Sequence, residues 1–126
     1  MAKLKATPTN FAEALAAFDS VKRGSRIGSI RIGNNTYLES YVDGCSVDRI
    51  CVRLHETNIV EFWADGRVIL NSGGYRTVTT KERINQFIRP AGRIHQDAGV
   101  WYYSALYPDG AVYAQRVFED GLAIQR

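Results

Sequence analysis

The sequence predicts an α+β fold in a single domain: an antiparallel β meander of about seven strands with an N-terminal helix and one mid-chain helix. Three observations predict it. Apolar residues recur at every second position over most of the chain, as in RICVRLH (49–55), where Ile50, Val52 and Leu54 fall on one face and Arg49, Cys51, Arg53 and His55 on the other. Four Asp-Gly pairs, each lying between β-rich runs, supply hairpin turns. Only two segments carry a helical period together with caps, and strands outnumbering helices in this way read as α+β. The 126 residues suit one domain, 1–126, built round one core, with 1–8 expected as a flexible tail.

The first helix opens at Asn10, with Glu13 three residues on as in a capping box, and Phe11, Ala14, Leu15 and Phe18 form its apolar stripe. Gly24 after Lys22-Arg23 is the expected stop, with cations at the negative end of the macrodipole. From Arg26-Ile27 the period falls to two. Strands are expected over 26–32 and TYLESYV (36–42), turned at Asp43-Gly44, then over RICVRLH. NIVEFW, Ala64-Asp65-Gly66 and RVILN make the strongest hairpin signal. In the second helix Thr79 is expected at the N-cap with Glu82 at N3, and Ile84, Phe87 and Ile88 follow until Pro90 and Gly92 end it. RIHQD, VWYYSALY, AVYAQRVF and LAIQR complete the β pattern, joined through Asp109-Gly110 and Asp120-Gly121.

No apolar run approaches the length of a membrane span, and the N-terminal segment lacks the apolar block of a signal peptide, so an intracellular protein is expected. The two cysteines, Cys45 and Cys51, are too few for a disulfide scaffold. Cys51 is expected to be partly buried and Cys45 to lie on the surface. With only His55 and His95 beside them, no ligand-pair spacing marks a metal site. No nucleophile elbow or carboxylate pair presents itself, and His55 at a strand end reads as a hydrogen-bonded edge residue rather than a base, so no catalysis is expected.

The net charge of +3 is unevenly spread: the blocks 1–35, 36–70, 71–95 and 96–126 carry +4, −3, +4 and −2. The second basic block holds the segment NSGGYRTVTTKERIN (71–85), where chemistry is expected. Gly73 and Gly74 can adopt φ > 0 and donate backbone N–H groups, as can Thr79 and Thr80 at the helix start. Arg76, Lys81 and Arg83 add positive charge at the positive end of the helix dipole, a recipe for holding phosphate or carboxylate. No established phosphate motif is matched, and the same residues also fit a strand end, a self-capped helix and a solvated basic face. Asn34 and Asn35 fit a turn, or hydrogen bonds to a base or ribose. Trp101, Tyr103 and Tyr107 share a strand face and Tyr113 lies nearby. Part of this aromatic set belongs in the core, and any exposed part offers stacking or partner surface.

IGNNTYLE (32–39), VRLHETNIVEFWADGRVILNSGGYRTVTTKERIN (52–85) and GVWYY (99–103) resemble a family of small proteins of tailed bacteriophages and prophages. The shared pattern is R-L-H-x-T-x-I-V followed by L-N-S-G-G-[WY]-R-T-x-T-T-K-x-R-I-N, over roughly residues 26–104. The resemblance implies a phage context and nothing catalytic. In that context the expected role is a non-enzymatic counter-defence protein of the host cytoplasm, without cofactor or metal, that sequesters an anionic nucleotide-type signal. Its expected contacts are Asn34, Asn35, Gly73, Gly74, Arg76, Thr79, Thr80, Lys81 and Arg83, with Trp101 or Tyr103 stacking on the base. Two alternatives stand beside it: a module that inhibits a host defence complex through protein contacts, and a nucleic-acid-binding accessory protein. Open sheet edges in a small β-rich domain lead to the further expectation of a homo-oligomer.

Overall fold

A computed structural model describes residues 4–21 and 28–125. In chain order the elements are α1 (Phe11–Val21), β1 (Gly28–Gly33), β2 (Thr36–Asp43), β3 (Ser46–Leu54), β4 (Thr57–Trp63) and β5 (Arg67–Leu70). Then follow α2 (Val78–Ile88), β6 (Gly92–Asp97), β7 (Val100–Leu106), β8 (Val112–Val117) and β9 (Leu122–Gln125). The described residues hold nine strands, against about seven expected. The expected α1 stop at Gly24 and the strand start at Arg26-Ile27 lie outside the described residues.

Consecutive strands pair as hairpins. β1 to β5 form a meander that β9 completes beyond β5, a six-stranded sheet, while β6, β7 and β8 form a second sheet of three. Every pairing is antiparallel. Three Asp-Gly pairs turn hairpins as expected (β2–β3, β4–β5 and β7–β8), whereas Asp120-Gly121 carries the chain from β8 of the small sheet to β9 of the large one. Gly44, Gly66, Gly110 and Gly121 all lie at positive φ, open to glycine at little cost.

Alternation decides the core. Leu38 of β2, Val52 of β3, Val60 of β4 and Leu70 of β5 stand side by side in register, all fully buried. Both helices cover this face, α1 through Ala14 and Phe18 and α2 through Ile84, Phe87 and Ile88. Ile94, Trp101 and Tyr103 of the smaller sheet join the same core. Burying about a dozen large apolar side chains at 1.5–3 kcal/mol each supplies the driving force.

The helix starts follow capping rules with a shift. The Glu13 amide donates to Asn10 Oδ1 at 2.8 Å, and the Glu13 carboxylate receives the Thr9 amide rather than that of Asn10. In α2 the N-cap is Thr77, not Thr79: its Oγ1 accepts the Thr80 amide at 3.1 Å, a bond worth about 1 kcal/mol. Three of the four residues 77–80 are threonine, and helical backbone begins two residues earlier than the Thr79–Glu82 spacing suggests. Glu82 is therefore an exposed residue of the helix body. At the other end, Pro90 forces Arg89 into extended backbone and stops the helix. The segment 1–8, expected as a tail, is docked from residue 4 onward: Leu4 is buried and the Lys5 amide donates to the Ile32 carbonyl of β1.

Candidate functional site

The loop between β5 and α2 is wired to itself. Asn71 Oδ1 accepts the Gly73 amide at 2.7 Å, and Ser72 Oγ accepts the Gly74 amide at 3.3 Å. The Tyr75 amide donates to the Ser72 carbonyl and the Thr77 amide to that of Tyr75. Gly73 is required twice over: its φ is +62°, and a Cβ there would stand 2.5 Å from Thr57 Oγ1. The glycine amides expected to cradle an anion are thus already used within the loop.

Arg76 is used as well. Its guanidinium lies 5.0 Å from the Trp101 ring centre and 4.9 Å from that of Phe118, and its Nε donates to Ser72 Oγ at 3.1 Å. Its Nη2 is 3.9 Å from the Asp120 carboxylate. Asp120 also receives the Ser72 amide and hydroxyl. Partial burial works to raise the Asp120 pKa. The Ser72 amide and hydroxyl, the Arg76 charge and the Gly74 amide outweigh that and hold the carboxyl below its usual range.

What stays open is the beginning of α2. Val78 and Thr79 are the first two helical residues, so their amides have no intrahelical acceptor. The Thr80 amide is taken by Thr77 Oγ1, and that of Lys81 by the Thr77 carbonyl. Beside this turn is a cavity of about 470 Å³ lined by the β3–β4 turn, the loop and the helix start. Leu54 and Ile59 give it apolar walls. Thr57, Ser72, Tyr75, Thr77, Thr79 and Thr80 give it six hydroxyl groups, and His55 and Glu56 complete the rim. No lysine or arginine lines it, and Glu56 contributes the one carboxylate.

The sequence-derived residues therefore divide. Thr79 and Thr80 line the cavity, and Thr80 is buried. Gly73 and Gly74 shape the adjoining loop. Asn34 and Asn35 form the exposed β1–β2 turn, with Asn35 at φ 52°, and its carbonyl accepts the His55 amide at 2.9 Å. That bond places the asparagine turn against the β3–β4 turn without bringing either asparagine to the cavity wall. Lys81 is half-buried and makes no ion pair with a described residue.

Arg83 is turned inward and only 4% exposed, where it bonds Gln86. A Cβ on Gly33 would stand 3.8 Å from its Nη2, which puts that head beneath the β1–β2 turn. Burial pushes its pKa down. Trp101 and Tyr103 are core residues, so neither ring is available for a base to stack on; the exposed aromatics are Tyr75, Tyr107 and Tyr113. His55, Glu56 and Tyr75 were missed as site residues. His55 is not an edge residue of a strand but a positive-φ turn residue, exposed and among those lining the cavity. The H-E-T-N run between two strands was the available turn signal.

The outer face of the large sheet is a closed polar layer. Arg49 lies over Tyr41 and Trp63, Arg53 over Tyr37 with Glu39 as ion partner, and Arg67 over Trp63 with Asp65. Cys51 sits fully buried among them rather than partly so. Its thiol pKa is pushed up to about 12, first by burial and then by the Glu61 charge. Among the described residues no helix is long and apolar enough to cross a membrane, and no three His, Cys, Asp or Glu residues group as metal ligands.

In comparisons with known proteins, a family model described as Kyanoviridae Gp96 protein matches residues 16–125. Neither the curated proteins nor the solved structures contain a match.

Proposed function

The chain belongs to the Kyanoviridae Gp96 protein family, a phage family, and on that premise we propose a non-enzymatic binding role for the cavity at the start of α2. Its ligand is nucleotide-type but weakly charged: a nucleoside, or a nucleoside carrying a single phosphate. The observation that carries this is the combination of cavity lining and charge placement. The cavity falls within the 300–1,000 Å³ usual for small-molecule sites, with apolar walls and the hydroxyls of Thr57, Tyr75 and Thr79 left over once those of Ser72, Thr77 and Thr80 have bonded elsewhere in the protein. One anionic group can meet the open Val78 and Thr79 amides at the positive end of the helix dipole. A polyphosphate gains little further there, because Asp120 offsets Arg76, Arg83 is buried, Glu56 repels, and Lys81, though it makes no ion pair with a described residue, does not line the cavity. Glu56 instead accepts N–H groups from a heterocycle, and Tyr75, 65% exposed, supplies a ring at the rim. In a phage protein such binding without conversion serves sequestration: the signal is withheld from its host receptor.

The test is a thermal-shift and calorimetric screen of nucleosides, nucleoside monophosphates, cyclic nucleotides, ADP-ribose and triphosphates, with short oligonucleotides as controls. A nucleoside or monophosphate that binds the native state raises Tm, is recovered intact from denatured protein, and is not improved upon by the triphosphate. Binding confined to triphosphates or oligonucleotides, falling steeply with salt, overturns the reading. So does recovery of a converted product, or a screen without binders.

A further inference from the structure

We propose that the chain forms a symmetric dimer by antiparallel pairing of β8 with β8 of a second copy, centred on Gln115. This goes beyond the cavity and does not depend on it.

The first support is that, among the described residues, β8 is a sheet edge whose outward backbone groups at Gln115 and Val117 receive no hydrogen bond. At the other side of the small sheet, the Asn85 side chain bonds both the Ile94 amide, at 2.7 Å, and the Ile94 carbonyl, at 2.8 Å, and so occupies the β6 edge. The β1 edge receives Lys5 at the Ile32 carbonyl, and β9 receives Arg116 Nη2 at the Ala123 carbonyl. All six residues of β8 are exposed. The strand has no lysine, proline or acid, the residues that usually protect an edge. Four of the eight exposed large hydrophobics among the described residues (Tyr107, Val112, Tyr113 and Val117) lie on or beside it, which concentrates apolar surface at this edge.

The second support is register. Ile94 directs its backbone groups to Asn85, so its pair with Tyr103 is non-hydrogen-bonded, and alternation makes Tyr103–Arg116 a bonded pair. Gln115 and Val117 then point their N–H and C=O groups away from β7. The Phe118 amide bonding back to Trp101 fits the same alternation. A two-fold axis through Gln115 sets these open groups against one another. It places Gln115 opposite its own mate and Ala114 opposite Arg116, while Tyr113, which the register shift beyond Ala114 leaves without a β7 partner, lies at the end of the seam toward Val117 of the second copy. The result gathers apolar surface at both ends of the seam and brings no like charges into contact.

Light scattering on the full chain over a range of concentrations should give the dimer mass. Gln115→Pro should give a folded monomer, because it removes an amide that β7 does not use. In a Cys45→Ser background, Gln115→Cys should oxidise to a covalent dimer in good yield, whereas Ala114→Cys should not. A wild-type monomer at every concentration overturns the proposal. So does a dimer that survives Gln115→Pro, or crosslinking no better from 115 than from 114. The cysteine pair decides the matter even where Gln115→Pro fails to fold.

Discussion

The carboxylate of Asp120 accepts both the amide of Ser72, at 2.8 Å, and its hydroxyl, at 2.7 Å, across 48 residues of sequence. The contact joins the turn before β9 to the loop that opens α2, and so holds one wall of the cavity. Asp120→Ala should lower stability by about 1–3 kcal/mol, the cost of leaving buried donors without an acceptor. Because the folded-state pKa is depressed, the Asp120 contribution is present above the unfolded carboxylate value of about 3.9 and is lost as pH falls through the lower folded value. Urea titrations as a function of pH should show that acid limb in the wild type, and a weaker one in Asp120→Asn.

Arg76 lies against both Trp101 and Phe118, whose rings touch each other, which gives it a structural task. Arg76→Ala should cost about 1–2 kcal/mol, measured by chemical denaturation. Arg76→Lys should recover little, since an ammonium cannot meet the two rings, Ser72 and Asp120 at once as the guanidinium fork does. Neither change should shift ligand Kd by more than a few-fold at a temperature where the variant is fully folded.

Asn85 takes the place of a strand at the edge of β6. Asn85→Ala leaves the Ile94 amide and carbonyl without partners and should lose about 1–3 kcal/mol. Hydrogen exchange gives the sharper readout: the Ile94 amide should exchange faster while those of the β2–β3 ladder keep their protection.

The two cysteines should react differently. Cys45 is exposed, and Cys51 is buried with its thiol pushed up to about 12. Alkylation of the native protein, followed by mass spectrometry, should add one label, at Cys45; the second should add only after denaturation.

Strand alternation, the Asp-Gly turns and the helical stripes were legible because each is a local pattern with one physical reading. The core face of β3, Ile50-Val52-Leu54, and the α2 stripe through Phe87 came directly from period. The site was legible only in position. The cavity does adjoin the 71–85 stretch, yet the roles of its residues depend on partners far along the chain. Nothing near Arg76 in sequence signals Asp120, Trp101 or Phe118, and nothing near Arg83 signals the β1–β2 turn at Gly33. Cationic side chains look alike in sequence whether they face solvent, a ring or a carboxylate. Only the long-range packing tells them apart. Thr77 is not singled out as N-cap by the sequence because three competent threonines fall within residues 77–80, and propensity alone does not rank them.

An amide NMR titration of the wild type with a nucleoside monophosphate, repeated on Tyr75→Ala, tests the cavity most directly. The expected result is saturable shifts at Thr57, Tyr75, Val78 and Thr79, weakened at least ten-fold by Tyr75→Ala, with the Arg49–Trp63 face silent. Shifts spread along that arginine face, or a titration in which the α2 amides never move, would contradict a ligand site at the start of this helix.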